Sequence, residues 1–225
     1  MHIIQKNLKK INQNIIQIAK SFKIDPTTIK LIAVSKNRSI KDIEKAILCG
    51  QHAFGENYVQ ESIPKIKSLN NNIEWHFIGH IQSNKAHKIA KYFSWCHTIS
   101  NRKIAILLNK YRPIHLPKLN ILIQIDIRTN FSNINENILK LEQLVNTIKN
   151  LKNLNLRGIM AMPYKKSTYF EQIQSYKNIR LYFLSIKKKL FSVDTLSLGT
   201  SHDISAAIFS GSTLLRLGSA IFNTK

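Results

Sequence analysis

Short runs of apolar, β-branched residues alternate along this chain with longer polar segments in which apolar residues recur every three or four positions. The short runs predict eight strands, at 31–35, 52–56, 74–79, 96–100, 119–125, 156–162, 195–199 and 214–218. The longer segments predict helices, at roughly 40–49, 57–68, 82–93, 101–112, 135–151, 167–191 and 203–210. Strands that alternate with helices indicate a parallel sheet covered by helices on both faces.

This pattern predicts an α/β fold, a single-domain (β/α)8 TIM barrel that spans residues 1–225. An extra helix is predicted before the first strand, because apolar residues at helical spacing form one face there: Ile4, Leu8, Ile11, Ile15 and Ile18. A doubly wound open sheet is the alternative, although that fold more often has fewer strands. No G-x-G-x-x-G follows a predicted strand, so the usual dinucleotide-binding signature is absent. Segment 126–135 predicts a loop after the fifth strand.

The net charge raises the question of a nucleic-acid partner. Lysine and arginine number 34 against 12 acidic residues, which gives a formal charge of +22. Charge of this size is typical of proteins that bind phosphate backbones. The lysines are scattered, however, and accompany many Ile and Asn residues, the types that A/T-rich codons supply. We therefore expect no main role in nucleic-acid binding, and an RNA-binding protein is the least favoured alternative.

Composition also bears on where the protein acts. Apolar residues make up 44% of the chain, which excludes a disordered tail. Cys49 and Cys96 belong to no metal or redox motif, so they predict two reduced thiols in a reducing compartment. No apolar run approaches the ~18 residues of a membrane span, and the N-terminus lacks the apolar centre of a signal peptide. We expect a cytoplasmic protein with no membrane partner and no metal site.

Function in such barrels lies at the carboxyl ends of the strands. Lys36 ends the first predicted strand, directly after the nearly continuous apolar run 31–35. Burial there would disfavour the charged amine and lower its pKa, which would make the amine a nucleophile toward an aldehyde. The alternative interpretation is an ordinary lysine at the point where the chain reaches the surface.

Two turns after the last strands have the composition of an anion site. Gly199, Thr200 and Ser201 lie between the seventh strand and the next helix, and Gly218 and Ser219 follow the eighth strand. Backbone N–H groups and hydroxyls at such turns bind anions, and barrels often build a phosphate site from these two loops. Because the first and eighth strands are neighbours in a closed barrel, the amine would face these turns. An aldehyde that carries a phosphate fits, and pyridoxal 5′-phosphate (PLP) is the candidate cofactor.

Five motifs carry a resemblance that covers essentially the whole chain. They are AVSKNRS (33–39), FGENYVQE (54–61), WHFIGHIQSNK (75–85), LSLGTSHDISAAI (196–208) and LRLGSAIF (215–222). In this order they resemble the pyridoxal phosphate homeostasis protein family, whose barrel is similar to the N-terminal domain of alanine racemase.

The resemblance implies a role for each residue of a cofactor site. It implies that Lys36 forms the Schiff base with PLP, that Asn57 lines the pocket and that Arg216 faces the ring nitrogen. The phosphate is implied to lie on three residues of the two turns: Ser201, Gly218 and Ser219. The family has a Lys and a Gly in the loop after strand five, where this chain has Phe131 and Asn133, so we expect no family role of that loop to carry over.

The residues favour a protein that binds PLP over one that uses it in catalysis. A guanidinium only donates hydrogen bonds and keeps its charge, so Arg216 opposite the ring nitrogen favours an unprotonated ring, which is a weaker electron sink. The chain ends at Lys225, directly after the eighth strand, and we expect no second domain that would supply a racemase with its second base. We expect a monomeric PLP-binding protein without catalytic residues that buffers the cofactor or delivers it to PLP-dependent apoenzymes. A weak amino-acid racemase is the alternative.

Overall fold

Eight parallel strands form a closed barrel in which each strand pairs with its neighbours in chain order. The computed structural model describes residues 3–69, 72–125, 134–162 and 168–223. The strands are β1 (Lys30–Val34), β2 (Ala53–Glu56), β3 (Glu74–Phe77), β4 (Trp95–Ile99), β5 (Leu119–Ile125), β6 (Leu154–Ala161), β7 (Thr195–Ser197) and β8 (Leu214–Leu217). The predicted (β/α)8 barrel is confirmed, with strand ends shifted by one or two residues at most positions.

Helices surround the barrel and connect its strands. They are α1 (Ile3–Ser21), α2 (Ile40–Ile47), α3 (Val59–Ser68), α4 (Ala86–Tyr92), α5 (Arg102–Tyr111), α6 (Ile134–Lys149), α7 (Tyr169–Lys189), α8 (Ile204–Phe209) and α9 (Ser219–Phe222). Most of the predicted loop 126–135, including Phe131 and Asn133, lies outside the described residues. No helix in the described part of the chain is long and apolar enough to cross a membrane.

Local signals in the sequence account for where helices begin. Ser39 caps α2 by accepting the N–H of Asp42 at 3.2 Å, which satisfies one of the unpaired donors of the first turn. Thr168 and Glu171 form a reciprocal capping box at the start of α7. The sequence itself therefore sets where these two helices start.

The predicted extra helix, α1, lies where the two ends of the chain meet. Its buried face consists of Ile4, Leu8, Ile11, Ile15 and Ala19, which agrees with the predicted apolar face except that Ala19 replaces Ile18. The helix packs against α2, α8 and α9. Asn7 adds a side-chain donor to the backbone carbonyl of Ile221 at 3.0 Å. Apolar burial along α1 therefore joins the first and last elements of the barrel.

Pairing of β1 with β8 closes the barrel. The register runs from Lys30 opposite Leu214 to Ala33 opposite Leu217, so Val34 comes next to Gly218. A side chain at Gly218 would place its Cβ 3.1 Å from the carbonyl oxygen of Val34, which is tighter than ordinary van der Waals contact. The ends of β1 and β8 are thus in direct contact, and β7 lies on the other side of β8.

Side chains alternate between the barrel wall and its interior. Residues that face the helices form one large apolar cluster. Two small apolar clusters fill part of the interior: Ile32 with Ala53 and Leu214, and Trp95 with Leu122 and Met160. The rest of the interior is polar, since His76, His97, Ser197 and Arg216 are all buried there. A polar interior needs internal hydrogen bonds, because buried polar groups without partners are costly.

Candidate functional site

Lys36 lies in a turn two residues beyond the end of β1, with its side chain exposed. The expectation that a buried strand desolvates this amine is therefore wrong for this structure, because the strand ends at Val34 and the chain reaches the surface before Lys36. The position at the carboxyl end of β1 agrees with the sequence analysis. A ligand can therefore reach the amine of Lys36 from solvent.

A buried lysine holds the turn that carries Lys36. Lys65 comes from α3, is 5% exposed, and donates through Nζ to the carbonyl oxygen of Ser35 at 2.8 Å. The same Nζ donates to Glu61 Oε1 at 2.6 Å, and this oxygen accepts the backbone N–H of Asn37 at 2.7 Å. Both chain neighbours of Lys36 are therefore bonded to one cluster, which we call the Lys65 cluster: Ser35, Glu56, Glu61 and Lys65.

Glu56 completes the Lys65 cluster from the end of β2. Its Oε1 accepts from Lys65 Nζ at 2.8 Å and from Ser35 Oγ at 2.6 Å, while Oε2 is buried and has no partner in the described part of the chain. Burial raises the pKa of this carboxyl group, and the hydrogen bond from Lys65 opposes that shift. A buried carboxylate of this kind depends on its cation. Sequence reasoning missed the cluster, although Lys65 at a core-facing position of α3, after Val59 and Ser62, is a signal for it.

Asn57 follows β2 at the same end of the barrel. Its side-chain Oδ1 is buried and has no hydrogen-bond partner among the residues that the structure describes. The backbone of Asn57 lies close to the segment that follows β3, since a Cβ at Gly79 would lie 2.0 Å from the Asn57 carbonyl oxygen. Only glycine permits this approach. An unsatisfied buried amide oxygen is rare in proteins and is available to a polar ligand.

The structure brings the turns after β7 and β8 together. Ser219 Oγ donates to Ser201 Oγ at 3.3 Å, with Ser219 exposed and Ser201 half-buried. Gly218 lies between the end of β8 and Ser219 and packs on Val34, as described above. Two hydroxyls and the backbone of two turns thus meet beside the end of β1. This arrangement has the donors that an anion requires.

Asp203 fixes the turn after β7, a role that the sequence analysis did not assign. Its Oδ1 accepts from the backbone N–H of Thr200 at 2.8 Å and from the Thr200 hydroxyl at 2.6 Å. Its Oδ2 accepts from the hydroxyl of Tyr176 on α7. Burial and the negative charge of Asp203 raise the pKa of Tyr176 well above its ordinary value. The T-x-x-D spacing from Thr200 to Asp203 is the sequence signal for this bond.

Arg216 lies on β8 and points into the barrel. It is 5% exposed, and Nη1 donates to the carbonyl and hydroxyl oxygens of Ser197 at 2.9 and 2.5 Å. Nη2 donates to the carbonyl oxygen of Ala161 at 3.0 Å. Burial lowers the pKa of this guanidinium, while the charges of Tyr176 and Asp203 oppose the shift. The group nevertheless stays protonated at neutral pH.

Of the six predicted site residues, Ser201 and Ser219 are in direct contact. Among the described residues, neither Lys36 nor Asn57 forms a hydrogen bond with them. Lys36, Asn57 and Gly218 instead follow three adjacent strands, β1, β2 and β8. A reachable amine, a free amide oxygen and an anion-binding pair of turns therefore share one end of the barrel. This set of groups fits an aldehyde that carries an anionic group.

Comparisons with known proteins first define the class of barrel. The family model described as alanine racemase, N-terminal domain, matches residues 7–225 of this chain. The structure of PipY from Synechococcus elongatus PCC7942, with PLP bound, is 26% identical with a TM-score of 0.79 and covers 93% of this chain and 100% of that chain.

Curated relatives then define the family. A pyridoxal phosphate homeostasis protein of Buchnera aphidicola subsp. Baizongia pistaciae is 69% identical over 223 residues, which are 99% of this chain and 100% of that protein. The protein of the same name in Escherichia coli K12 is 42% identical over 229 residues, with 100% of this chain and 98% of that protein covered. The chain belongs to the pyridoxal phosphate homeostasis protein family, as its five motifs predict.

Loss of the Lys65 amine should destabilise the barrel at the turn of Lys36. We expect Lys65→Met to lower the free energy of unfolding by about 3 kcal/mol at pH 7, because it leaves the carboxylate of Glu56 buried without its cation. Burial raises the pKa of Glu56 above its ordinary 4.5, so the loss should shrink as the pH falls and the carboxyl group takes up a proton. Urea unfolding between pH 4 and 7 measures both effects.

Two further variants complete this test. Lys67→Met removes an exposed lysine of the same helix and should change stability by less than about 0.5 kcal/mol. The double variant Lys65→Met with Glu56→Gln should recover part of the loss, since the fully buried charge at Glu56 is removed and only the partly exposed carboxylate of Glu61 loses its cation. An equal loss of stability in Lys65→Met and Lys67→Met would contradict the role of the Lys65 cluster. A loss in Lys65→Met that does not depend on pH would also contradict it.

Proposed function

We propose that this chain binds PLP at the mouth of the barrel and holds it through the amine of Lys36. The observation that carries the proposal is the contact of Ser201 with Ser219 beside the end of β1, since two hydroxyls suited to an anion then lie next to the strand that leads to Lys36. The relatives named above support it, because they are named for pyridoxal phosphate homeostasis and PipY has PLP bound.

Each site residue has a separate task in this proposal. Bound PLP supplies an aldehyde that condenses reversibly with an amine. Lys36 provides that amine from a turn whose two flanking residues are held by the Lys65 cluster, so the backbone at its position is fixed. Hydroxyl and backbone donors bind the phosphate: Ser201, Gly218 and Ser219. The unpartnered Oδ1 of Asn57 accepts a hydrogen bond from the cofactor, which satisfies a buried polar atom.

Arg216 limits the chemistry of the site. Its guanidinium stays charged and can only donate, so a ring nitrogen opposite it accepts a hydrogen bond and does not carry a proton. An unprotonated ring withdraws electrons weakly, which gives little help to carbanion chemistry. We therefore propose storage or delivery of PLP without strong catalysis. The alternative of a weak racemase is not favoured, since the curated relatives are named for homeostasis.

We also infer that the protein acts in the cytoplasm as a monomer and passes PLP to PLP-dependent apoenzymes. Both cysteines, Cys49 and Cys96, are free, which is typical of a reducing compartment. Burial raises the pKa of Cys96 to about 12, so this thiol is unreactive at neutral pH. An exposed amine at an open barrel mouth is also accessible to a receiving enzyme.

PLP bound through Lys36 should give the protein visible absorbance. We expect the wild-type protein to acquire a visible band on addition of PLP and to lose it in Lys36→Ala. Lys41→Ala, which removes an exposed lysine at the start of α2, serves as the control and should keep the band. A wild-type protein that stays colourless after PLP loading and dialysis would contradict the proposal.

The phosphate should depend on the paired hydroxyls. We expect the double variant Ser201→Ala with Ser219→Ala to weaken PLP binding at least about tenfold, because each charge-assisted hydrogen bond contributes about 1.5 kcal/mol or more. Stability should change little, since both side chains lie at the surface. Equilibrium dialysis and urea unfolding measure the two quantities. Ser100→Ala, at the exposed end of β4 on the same side of the barrel, is the control; equal PLP affinity in both variants would place the phosphate elsewhere.

A further inference from the structure

A line of polar side chains crosses the interior of the barrel from the cofactor end to the opposite end. We call it the interior chain, and it consists of Arg216, Ser197, His97, His76, Glu74 and Lys30. Four of these residues are buried, whereas Glu74 and Lys30 reach the surface at the amino-terminal end, with side-chain exposures of 33% and 46%. The members come from five strands, so closure of the barrel alone brings them together.

The contacts along the interior chain are continuous. Arg216 Nη1 lies 2.5 Å from Ser197 Oγ, which lies 3.4 Å from His97 Nδ1. The opposite nitrogen of that ring, Nε2, lies 2.9 Å from His76 Nδ1. His76 Nε2 lies 2.6 Å from Glu74 Oε1, although the ring N–H is not aligned with this oxygen. Lys30 Nζ donates to the same oxygen at 2.6 Å.

The two ends of the interior chain fix the direction of every hydrogen bond. At one end Arg216 can only donate, so Ser197 Oγ accepts from it and uses its single proton for His97 Nδ1. His97 must then carry its proton on Nε2 and donate to His76 Nδ1. At the other end Glu74 Oε1 lies 2.6 Å from His76 Nε2 without an aligned hydrogen bond, and this close approach of a carboxylate oxygen favours the proton of His76 on Nε2. The hydrogen bonds that start at Arg216 set the tautomer of His97, and the contact with Glu74 favours the matching tautomer of His76.

Burial is the main reason that the two rings stay neutral. Burial lowers the pKa of His97 well below its ordinary value, and His76 and Arg216 add to this shift. Burial also lowers the pKa of His76, with Lys30 in support and Glu74 in opposition. Burial works to raise the pKa of Glu74, but His76 and Lys30 outweigh it and lower that pKa to about 2. Glu74 is therefore an acceptor at neutral pH.

Arg216 lies near the carboxylate of Asp203 but forms no hydrogen bond with a carboxylate among the described residues. Among the described residues its hydrogen-bond acceptors are three neutral oxygens, two on Ser197 and one on Ala161. A buried guanidinium without a carboxylate partner is costly, and a fixed hydroxyl acceptor reduces that cost without neutralising the charge. No acidic hydrogen-bond partner among the described residues therefore competes with a ligand for this guanidinium.

We propose that Ser197, His97 and His76 are positioning residues which act through Arg216 and fix its guanidinium for the PLP ring. The proposal rests on the proposed function for the identity of the ligand. The direction of the hydrogen bonds and the Nε2–H tautomers of His76 and His97 follow from the contacts alone and do not depend on the ligand. Two experiments test the direction of the hydrogen bonds and the effect on PLP separately.

The first experiment needs no PLP. Long-range ¹⁵N–¹H correlation spectra of the labelled apo protein report the tautomer of each histidine, and variants His76→Gln and His97→Gln assign the two signals among the eight histidines. We expect both rings to be neutral Nε2–H tautomers at pH 7. Arg216→Met should release His97 into a mixture of tautomers, because Ser197 is then free to reverse its hydroxyl. An Nδ1–H or cationic ring in the wild type, or an unchanged His97 in Arg216→Met, would overturn the proposal.

The second experiment adds PLP. Ser197→Ala should weaken PLP binding about tenfold, the loss of roughly one hydrogen bond to a charged group, and should shift the visible band. Ser197→Thr keeps the hydroxyl and should restore the wild-type band. Ser212→Ala, a buried serine whose hydroxyl bonds to Leu196, Leu198 and Leu214 carbonyls, should lower stability without moving the band.

The outcomes of the two experiments are distinguishable. Wild-type affinity and spectrum in Ser197→Ala, or the same shift in Ser212→Ala, would overturn the positioning role. A wild-type protein that binds no PLP would instead remove the proposed function, and the apo spectra would still decide whether the interior chain runs in the stated direction.

Discussion

Pairing of the first strand with the last is the constraint on which the rest of the structure depends. The register of β1 with β8 sets Val34 against Gly218, so the turn of Lys36 and the turns of Ser201 and Ser219 share one rim. Without closure these groups would lie at opposite edges of an open sheet. The same closure brings residues of five strands into the interior chain. Helix α1, packed on the first and last elements, buries the apolar surface that favours this arrangement.

Closure of the barrel also places two buried cations, Lys65 and Arg216, in different surroundings. Between barrel wall and helices, Lys65 meets two carboxylates and holds the backbone on both sides of Lys36, so the charges are largely compensated. Inside the barrel, Arg216 bonds only to neutral oxygens among the described residues. The first arrangement stabilises a turn, and the second keeps a positive charge available to a ligand.

The sequence predicts most of the fold because strand and helix patterns are local. It also predicts which turns bear the site, since Lys36 and Ser219 follow predicted strands. It did not predict the exposure of Lys36, which depends on where β1 ends within two residues. Nor did it predict the Glu56–Lys65 pair or the contact of His76 with His97. Such contacts join distant segments, and the stagger of neighbouring strands decides them.

The central claim is a covalent link between PLP and one particular amine, and mass spectrometry tests it most directly. The protein is loaded with PLP, reduced with borohydride, digested and analysed for pyridoxyl-modified peptides. The account predicts that the modification lies on Lys36, at close to one group per chain, and that other lysines carry only minor amounts. Modification spread evenly over many lysines, or concentrated on another residue while Lys36 stays unmodified, would contradict the account.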